Sequence, residues 1–328
     1  MRRKGVNYAK YGYIFSLPFV IAYVLFNLLP TLFTVVIGFT DFKGIGRTDF
    51  NFLDDIFQNF KIVVANPSFQ TSIKNTLGIW IANFIPQILL ALLLTAWFTN
   101  NRRKIKGQGF FKVIFYMPNI ITAATVAILF SAFFAYPTGP MNSLFQNFGW
   151  AEEPVYFLME KGVARGIVAF IQFWMWYGYT MIILISGALA INPELYEAAD
   201  IDGATSRQSF FYVTIPNLRT ILLFTLITSL IGGLSMYDIP KLFLNGGPDN
   251  ATLTANVFIY NQAFQGSYLY NRAAAASMIL FAMISIASAF IFYIMRDKEE
   301  AKIRKLQKER LKEYKKAERA SRRLKNAK

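Results

Sequence analysis

Long apolar runs separated by shorter polar segments dominate the pattern of this chain. A helix needs about 20 mostly apolar residues to cross the hydrocarbon core of a membrane, and six runs reach that length. They are residues 11–38, 73–98, 111–135, 166–190, 220–239 and 273–295. The pattern predicts an all-α integral membrane protein with six transmembrane helices. The first run is too long for a signal peptide and no small-residue cleavage site follows it, so we expect it to remain as a span.

Basic residues in the loops predict the orientation of these spans. With the N-terminus inside, the inside segments 1–10, 99–112, 191–219 and 296–328 hold 4, 5, 2 and 15 Lys and Arg, and the rest of the chain holds 8. Because cytoplasmic loops carry the excess of basic residues, we expect both termini to lie in the cytoplasm.

The net charge of +15 is concentrated at the C-terminal end. Residues 296–328 hold 15 basic and 6 acidic residues and follow directly on the last apolar run. A positive face across a whole domain is typical of nucleic-acid binding, whereas a basic flank beside a span is typical of contact with anionic lipid. We expect membrane lipid, and no nucleic acid, as the partner of this tail.

The chain contains no Cys and no His. This excludes disulfides, thiol nucleophiles, zinc–thiolate sites, Ser-His-Asp triads and imidazole proton relays. The chain also has no G-x-x-x-x-G-K-[ST] phosphate loop. We therefore expect no catalytic residue, no metal site and no cofactor in this chain.

The cytoplasmic segment 191–219 is acidic and predicts two short helices. Asn192 suits an N-cap, Pro193 the first helical position, and Glu194 the positive end of the helix dipole. Gly203 is expected to end this helix after about ten residues.

A second short helix is predicted directly afterwards. Thr205 and Gln208 have the spacing of a capping box, and Ile215-Pro216 is expected to end this helix just before the fifth span. The segment would form a helix–turn–helix at the cytoplasmic face of the membrane.

One face of the first short helix carries small and acidic residues. The spacing i, i+3, i+4, i+7 is met by Leu195, Ala198, Ala199 and Asp202. A helix that lies on lipid usually has a basic polar face, whereas Glu197 and Asp200 are acidic. A basic groove on another protein is therefore favoured as the partner of this helix, and the lipid surface is the alternative.

Three stretches of the sequence together resemble one protein family. One is Glu197-Ala198-Ala199, then Asp202-Gly203-Ala204 and Ile215-Pro216. Another is Pro18 and Pro30 in the first span with Gly38-Phe39-Thr40-Asp41-Phe42. The last is Tyr237-Asp238-Ile239-Pro240 with Asn245-Gly246-Gly247-Pro248 and Thr252, then Tyr260 and Ala263-Phe264. They resemble the EAA loop and flanking motifs of binding-protein-dependent ABC importer permeases, in the sugar branch of the maltose, multiple-sugar and glycerol-phosphate type.

The resemblance implies a type I importer permease in a prokaryotic inner membrane. Such a permease pairs with a second, homologous permease to form the pathway. Two ABC ATPase subunits, which hold ATP and Mg, bind at the cytoplasmic face, and an extracytoplasmic binding protein delivers the solute. The solute implied is a sugar or oligosaccharide.

The resemblance also implies roles for particular residues. Contacts that couple the permease to the ATPase would come from Glu197, Ala198, Ala199, Asp200, Gly203 and Pro216. The loop that faces the binding protein would contain Gly246, Gly247 and Pro248. The implied organisation is an N-terminal part (1–70), an importer core with five spans (71–295) and a basic cytoplasmic tail (296–328).

Polar and aromatic side chains within or beside the spans are candidates for contact with the solute, because sugars offer hydroxyls to amides and C–H faces to rings. They are Asn83, Gln87, Asn119, Gln172, Trp174, Trp176, Tyr177 and Asp238. For Asn83 and Gln87, hydrogen bonding between helices is an equal alternative. For the aromatic residues, packing or an interfacial belt is the alternative.

Other functions fit the sequence less well. A secondary transporter would need internal repeats and a coupling-ion site, and an intramembrane enzyme without His or Cys would need paired Asp residues or a Ser/Lys pair in the spans. Neither pattern is found in the sequence. A glycerol-phosphate permease remains an alternative, although the spans contain no basic cluster to hold a phosphate.

Overall fold

A computed structural model describes residues 9–44, 46, 49–100, 105–266, 268–295 and 306–314. The regular structure of these residues is helical. The one strand-like contact among them is an isolated antiparallel bridge between Thr40 and Phe52. The helices are α1 (Ala9–Tyr23), α2 (Leu29–Ile37), α3 (Gln58–Ala65), α4 (Pro67–Phe98), α5 (Gln108–Ile120), α6 (Ala123–Phe133), α7 (Pro140–Asn147), α8 (Lys161–Leu189), α9 (Pro193–Ile201), α10 (Ser206–Ser209), α11 (Ile215–Asn217), α12 (Arg219–Leu234), α13 (Asp238–Leu244), α14 (Ala255–Phe264) and α15 (Tyr270–Met295).

The described residues contain five helical stretches long and apolar enough to cross a membrane, and a sixth if α5 and α6 count as one interrupted span. The five stretches are Lys10–Ile37, Pro67–Phe98, Lys161–Leu189, Arg219–Leu244 and Tyr270–Met295. These bounds confirm the prediction of an all-α membrane protein with six spans.

The third span is not the continuous helix that the apolar run 111–135 predicts. Thr122 has an extended backbone, and its side chain accepts a hydrogen bond from the Thr125 backbone N–H at 3.3 Å. A new helix, α6, therefore starts after Thr122. An apolar run does not reveal such an N-cap, because Thr is only weakly polar and the flanking residues are apolar.

The fifth span also differs from its prediction. The α-helical part ends at Leu234, and the chain resumes as α13 at Asp238 after three non-helical residues. The predicted run continued unbroken to Ile239. Gly232 and Gly233 lie just before the break and lower the helix propensity there.

A π-helical turn interrupts the first span. Val24–Leu28 forms this turn, in which the Leu29 N–H donates to the Val24 carbonyl five residues earlier. Pro30 follows at the start of α2. Because proline has no N–H and its ring clashes with the carbonyl four residues before it, a wider turn just ahead of it lets the helix continue.

The described contacts group into two compact units. The described residues of unit 1 fall within 1–83, 121–172 and 232–284, and those of unit 2 fall within 84–120, 173–231 and 285–328. A core of unit 1 is formed by Val63, Phe69, Leu253, Val257, Phe258, Ala275 and Ala276. A core of unit 2 is formed by Ala91, Leu94, Phe98, Met181, Leu184 and Ile185.

Close helix packing within unit 2 depends on a glycine. Gly178 of α8 is buried against α5, and a Cβ added there would overlap the carbonyl oxygen of Phe115. Membrane helices use small residues to bring their backbones together in this way.

The predicted basic tail lies largely outside the described residues. Residues 306–314 are helical and exposed. The rest of 296–328 is outside the described ranges, so the lipid contact predicted for the tail stays a prediction.

Candidate functional site

The start of α9 is capped as the sequence predicts. The Asn192 side chain accepts a hydrogen bond from the Glu194 backbone N–H at 3.1 Å, and its amide donates to the Glu194 carboxylate at 3.0 Å. Pro193 is the first residue of the helix. These contacts satisfy donors that a helix start leaves without partners.

The end of α9 also confirms the prediction. Gly203 has φ +75°, in the left-handed region that favours glycine. The Gly203 N–H donates to the Asp200 carbonyl at 3.1 Å, and the Ala204 N–H donates to the Ala199 carbonyl at 2.9 Å. This pair of bonds is a Schellman motif. It turns the chain sharply between α9 and α10.

The predicted capping box at α10 is present. The Thr205 hydroxyl accepts from the Gln208 N–H at 3.3 Å, and the Thr205 N–H donates to the Gln208 side-chain oxygen at 2.8 Å. This reciprocal pair fixes the start of the second short helix.

The helical stretch that begins at Ser206 ends at Asn217, one residue beyond Pro216 and just before the fifth span, close to the end expected from the sequence. After α10 the chain forms a π-helical segment, Phe210–Thr214, and then α11, which contains Pro216. The Ile215 N–H donates to the Phe210 carbonyl, five residues back. As in the first span, a wide turn precedes the proline and lets the helix pass it.

Most of α9 is exposed. The side chains of Leu195, Glu197 and Ala198 are exposed, and Ile201 is 86% exposed. No described residue forms a hydrogen bond or an ion pair with the Glu197 carboxylate. These four residues are therefore open to a partner, whereas Ala199 of the predicted face is half-buried.

Tyr196 and Ala199 are the two half-buried residues of α9. The Tyr196 hydroxyl lies 2.9 Å from the Thr214 hydroxyl, in hydrogen-bonding contact. The sequence pattern does not mark Tyr196 or Thr214, because a Tyr beside the EAA motif and a Thr eighteen residues later come into contact only when the chain folds back.

A small cavity of about 50 Å³ lies beside this contact. It is lined by Ala96, Thr99, Asn100, Tyr196, Asp200, Ser206, Ser209, Phe210 and Thr214. Ala96 lies in the last turn of α4, and Thr99 and Asn100 follow its C-terminal end, so the loop packs against the second span.

Three candidate solute contacts bond within the protein. The Asn83 amide donates to the Ile79 carbonyl of its own helix at 2.8 Å. The Gln87 amide donates to the Thr180 hydroxyl at 2.7 Å, and the Asn119 amide donates to the Met175 carbonyl at 3.1 Å. Gln87 and Asn119 thus join α8 to α4 and to α5. The bond of Gln87 matches the alternative of hydrogen bonding between helices, whereas Asn83 bonds within its own helix.

The remaining candidates differ in exposure. Gln172 and Trp174 are half-buried, whereas Trp176 and Asp238 are exposed. Tyr177 is half-buried, and its ring stacks on Phe173 at 5.6 Å between centroids.

The loop after α13 has a defined shape. Asn245 and Gly246 have φ of +49° and +85°. The Gly247 carbonyl accepts from the Thr252 hydroxyl at 2.6 Å, and the Asn75 amide of α4 donates to the carbonyls of Asn250 and Leu253 at 2.6 and 3.1 Å. These bonds hold Gly246, Gly247 and Pro248 in a fixed loop on unit 1.

No group of three or more Asp and Glu residues that would hold a metal ion is found in the described part of the chain. The exposed helix α9, its capped turns and its contact with Thr214 are thus the most distinctive site.

Residues 76–305 match a family described as the binding-protein-dependent transport system inner membrane component. This range covers well over half of the chain.

Curated relatives align over almost their whole length. The chain is 31% identical to a multiple sugar-binding transport system permease protein of Streptococcus mutans, over 87% of this chain and 95% of that protein. It is 29% identical to a lactose transport system permease protein of Rhizobium radiobacter, over 88% of this chain and 95% of that protein. It is 27% identical to an arabinooligosaccharides transport system permease protein of Bacillus subtilis, over 84% of this chain and 85% of that protein.

Two solved structures of ABC transporters contain chains that are similar in fold to this one. The fold is similar to a chain in the crystal structure of a bacterial ABC transporter involved in the import of the acidic polysaccharide alginate, with a TM-score of 0.72 and 25% identity. The match covers 87% of this chain and 94% of that chain. A second similar structure is a bacterial alginate ABC transporter in complex with a periplasmic protein that holds an alginate pentasaccharide. Its TM-score is also 0.72 and its identity 25%, and the match covers 87% of this chain and 93% of that chain.

Proposed function

Because this chain belongs to the family of binding-protein-dependent transport system inner membrane components, we propose that it forms half of the membrane pathway of an ABC importer for a sugar or oligosaccharide. The chain is a multi-pass membrane protein and a transport permease subunit. The proposal that the solute is a sugar rests on the relatives named for lactose, multiple sugars and arabinooligosaccharides. Each of them aligns over most of its own length and most of this chain.

Energy for transport is proposed to come from separate ATPase subunits that hold ATP and Mg. The sequence has no phosphate loop, so hydrolysis needs another chain. Two such subunits are proposed, one on this permease and one on its partner.

Helix α9 is the proposed docking element for one ATPase subunit. Its exposed face combines apolar Leu195 and Ile201, the small Ala198 and the acidic Glu197. A groove with an apolar floor and a basic rim complements this face. Asp200, Gly203 and Pro216 are proposed to shape the docking loop, with Ala199 packed beneath its outer face.

A second, homologous permease is the proposed partner within the membrane. In the most apolar stretch of the first span, only 6% of the residues are buried against the rest of the described chain. A span with so little contact to its own protein is available to lipid and to a neighbouring permease. The remaining half of the pathway would come from that neighbour.

An extracytoplasmic binding protein is the proposed source of the solute. A structure similar to this fold was solved with a periplasmic protein bound. The fixed loop at Gly246, Gly247 and Pro248 is proposed to face that protein, with both termini in the cytoplasm of a prokaryotic cell. The proposed division of the chain is 1–70, 71–295 and 296–328.

Solute contacts within the pathway are proposed for the amides and rings at Asn83, Gln87, Asn119, Gln172, Trp174, Trp176, Tyr177 and Asp238. Trp176 and Asp238 have exposed side chains and need no rearrangement to meet a solute. Gln87 and Asn119 would first have to release their bonds to α8.

Deletion of the gene in its native cell tests the proposal. Uptake is measured with labelled lactose, raffinose, an arabino-oligosaccharide and glycerol 3-phosphate. We expect the deletion to abolish uptake of at least one sugar, and a plasmid copy to restore it. Unchanged uptake of all sugars with loss of glycerol 3-phosphate uptake would contradict the sugar assignment.

A further inference from the structure

Two hydroxyl groups connect the docking helix to the helical segment that leads into the fifth span. The Tyr196 hydroxyl on α9 is 2.9 Å from the Thr214 hydroxyl. Thr214 is 2% exposed and is the last residue of the π-helical segment. The bond therefore joins the exposed α9 to a buried point eighteen residues further along the chain.

Tyr196 is well placed to transmit a displacement of α9. It is one of the two half-buried residues of this helix, and the other, Ala199, has no side-chain hydrogen-bonding group. The outer residues Leu195, Glu197 and Ala198 are exposed on the face proposed for the ATPase. The inner face of α9 thus contacts Thr214, and its outer face is the one proposed to contact the ATPase. A displacement of α9 by the ATPase would therefore reach Thr214 directly.

The π-helical segment is a place in the chain where a displacement of α9 can change the helix geometry. Its wide turn has i→i+5 bonds, and the Thr214 hydroxyl also lies 3.5 Å from the Ser209 carbonyl, five residues earlier. Wide turns inside helices occur frequently at functional sites. Pro216 follows two residues later and lacks the N–H that would favour a regular α-turn here.

The cavity beside the bond provides room for movement. Its volume of about 50 Å³ exceeds the space that a single water occupies. Its walls include Tyr196, Thr214 and Phe210. The Tyr196 ring can therefore shift without first displacing close-packed side chains.

We propose that Tyr196 is a positioning residue whose hydroxyl, bonded to Thr214, passes the movement of α9 to the π-helical segment and so to the fifth span. The inference rests on the proposed function, since it needs an ATPase docked on α9. It assigns the coupling to one hydrogen bond rather than to the packing of the Tyr196 ring.

Tyr196→Phe separates these two roles, because it keeps the ring and removes the hydroxyl. Tyr212→Phe is the matched control, since Tyr212 lies in the π-helical segment, is 79% exposed and has no hydrogen bond to a described residue. Thr214→Val removes the other hydroxyl, and Thr214→Ser keeps it.

The experiment uses the whole importer in proteoliposomes, with the sugar that the wild-type complex transports best from the labelled panel. Complex yield, MgATP hydrolysis and sugar uptake are measured for each variant. We expect Tyr196→Phe and Thr214→Val to keep wild-type yield and ATP hydrolysis but to lower sugar uptake per ATP about three- to tenfold, the size of one buried hydrogen bond in an equilibrium. The double variant should be no worse than either single one, and Tyr212→Phe and Thr214→Ser should resemble wild type.

Wild-type uptake per ATP in Tyr196→Phe would overturn the inference. A loss of complex yield that accounts for the loss of uptake would also overturn it, because the bond would then only hold the loop together. A wild-type complex that takes up no sugar would instead contradict the proposed function, so the two failures are distinguishable.

Discussion

At the scale of single residues, Glu197 carries the charge that the docking proposal depends on. Its carboxylate is exposed on α9 and has no described partner within the chain. We predict that Glu197→Lys weakens binding of the ATPase at least about 30-fold, because loss of a hydrogen-bonded charge pair in an interface costs ~2–5 kcal/mol. The measurement is co-purification with the ATPase, together with sugar uptake.

Glu313→Lys is the control for this change. Glu313 is an exposed residue of the helical stretch 306–314, and its reversal alters net charge equally. We expect it to leave co-purification unchanged. If Glu197→Lys co-purifies and transports like wild type, α9 does not dock through its acidic face.

The turn after α9 gives a second prediction at this scale. Gly203 has φ +75°, so Gly203→Val strains the turn by ~1–2 kcal/mol or more. Asn adopts this conformation more readily than most residues. We expect Gly203→Val to reduce the yield of assembled complex, whereas Gly203→Asn and Ala198→Ser reduce it little. Equal yields from all three would show that assembly does not depend on the turn.

The local chemistry of this loop was predictable, and its tertiary contacts were not. The roles of Asn192, Gly203 and Thr205 follow from short-range rules for capping, which depend on neighbours within a few residues. The Tyr196–Thr214 bond depends on how far the chain turns back on itself. The bonds of Gln87 and Asn119 to α8 have the same origin, since partners on different helices are not visible in a pattern of polarity.

At the scale of helices, packing of α8 on α5 depends on Gly178. An added Cβ there would meet the Phe115 carbonyl oxygen, and backbone cannot move aside as a side chain can. We predict that Gly178→Ala lowers stability by ~1–3 kcal/mol, the usual cost of overpacking. The measurement is the thermal unfolding midpoint of the purified complex in detergent.

Gly166→Ala on the same helix is the control. A Cβ at Gly166 has no heavy atom within 4 Å, so its unfolding midpoint should match wild type or rise slightly, since Ala has the higher helix propensity. A Gly178→Ala complex as stable as the Gly166→Ala complex would mean that these helices do not approach as closely as the structure indicates.

Apolar length predicted which segments are spans but not where they are interrupted. The bounds of α4, α8 and α15 extend the predicted runs by a few residues at their N-terminal ends, because polar residues such as Gln70 and Lys161 continue a helix beyond its apolar part. The interruptions at Thr122 and after Leu234 depend on single caps and glycines, which hardly change the hydropathy of a run.

At the scale of the whole molecule, the basic tail is expected to stabilise the protein in the membrane. Residues 296–328 supply +9 of the net charge, and each basic residue near an anionic leaflet gains about 1 kcal/mol. We predict that deletion after Glu300 leaves sugar uptake largely intact and lowers the yield of complex. Membranes with anionic lipid should show this loss, and membranes of zwitterionic lipid should not. Abolished uptake at normal yield would make the tail part of the transport mechanism instead.

The central claim is that this chain conducts a sugar and draws energy from ATP hydrolysed by other subunits. The direct measurement is uptake of labelled oligosaccharide by proteoliposomes that contain the assembled complex, with MgATP inside and the binding protein outside. The account predicts uptake that requires both MgATP and the binding protein, and no ATP hydrolysis by this chain purified alone. Uptake that an ion gradient drives without ATP, or ATP hydrolysis by the single chain, would contradict it.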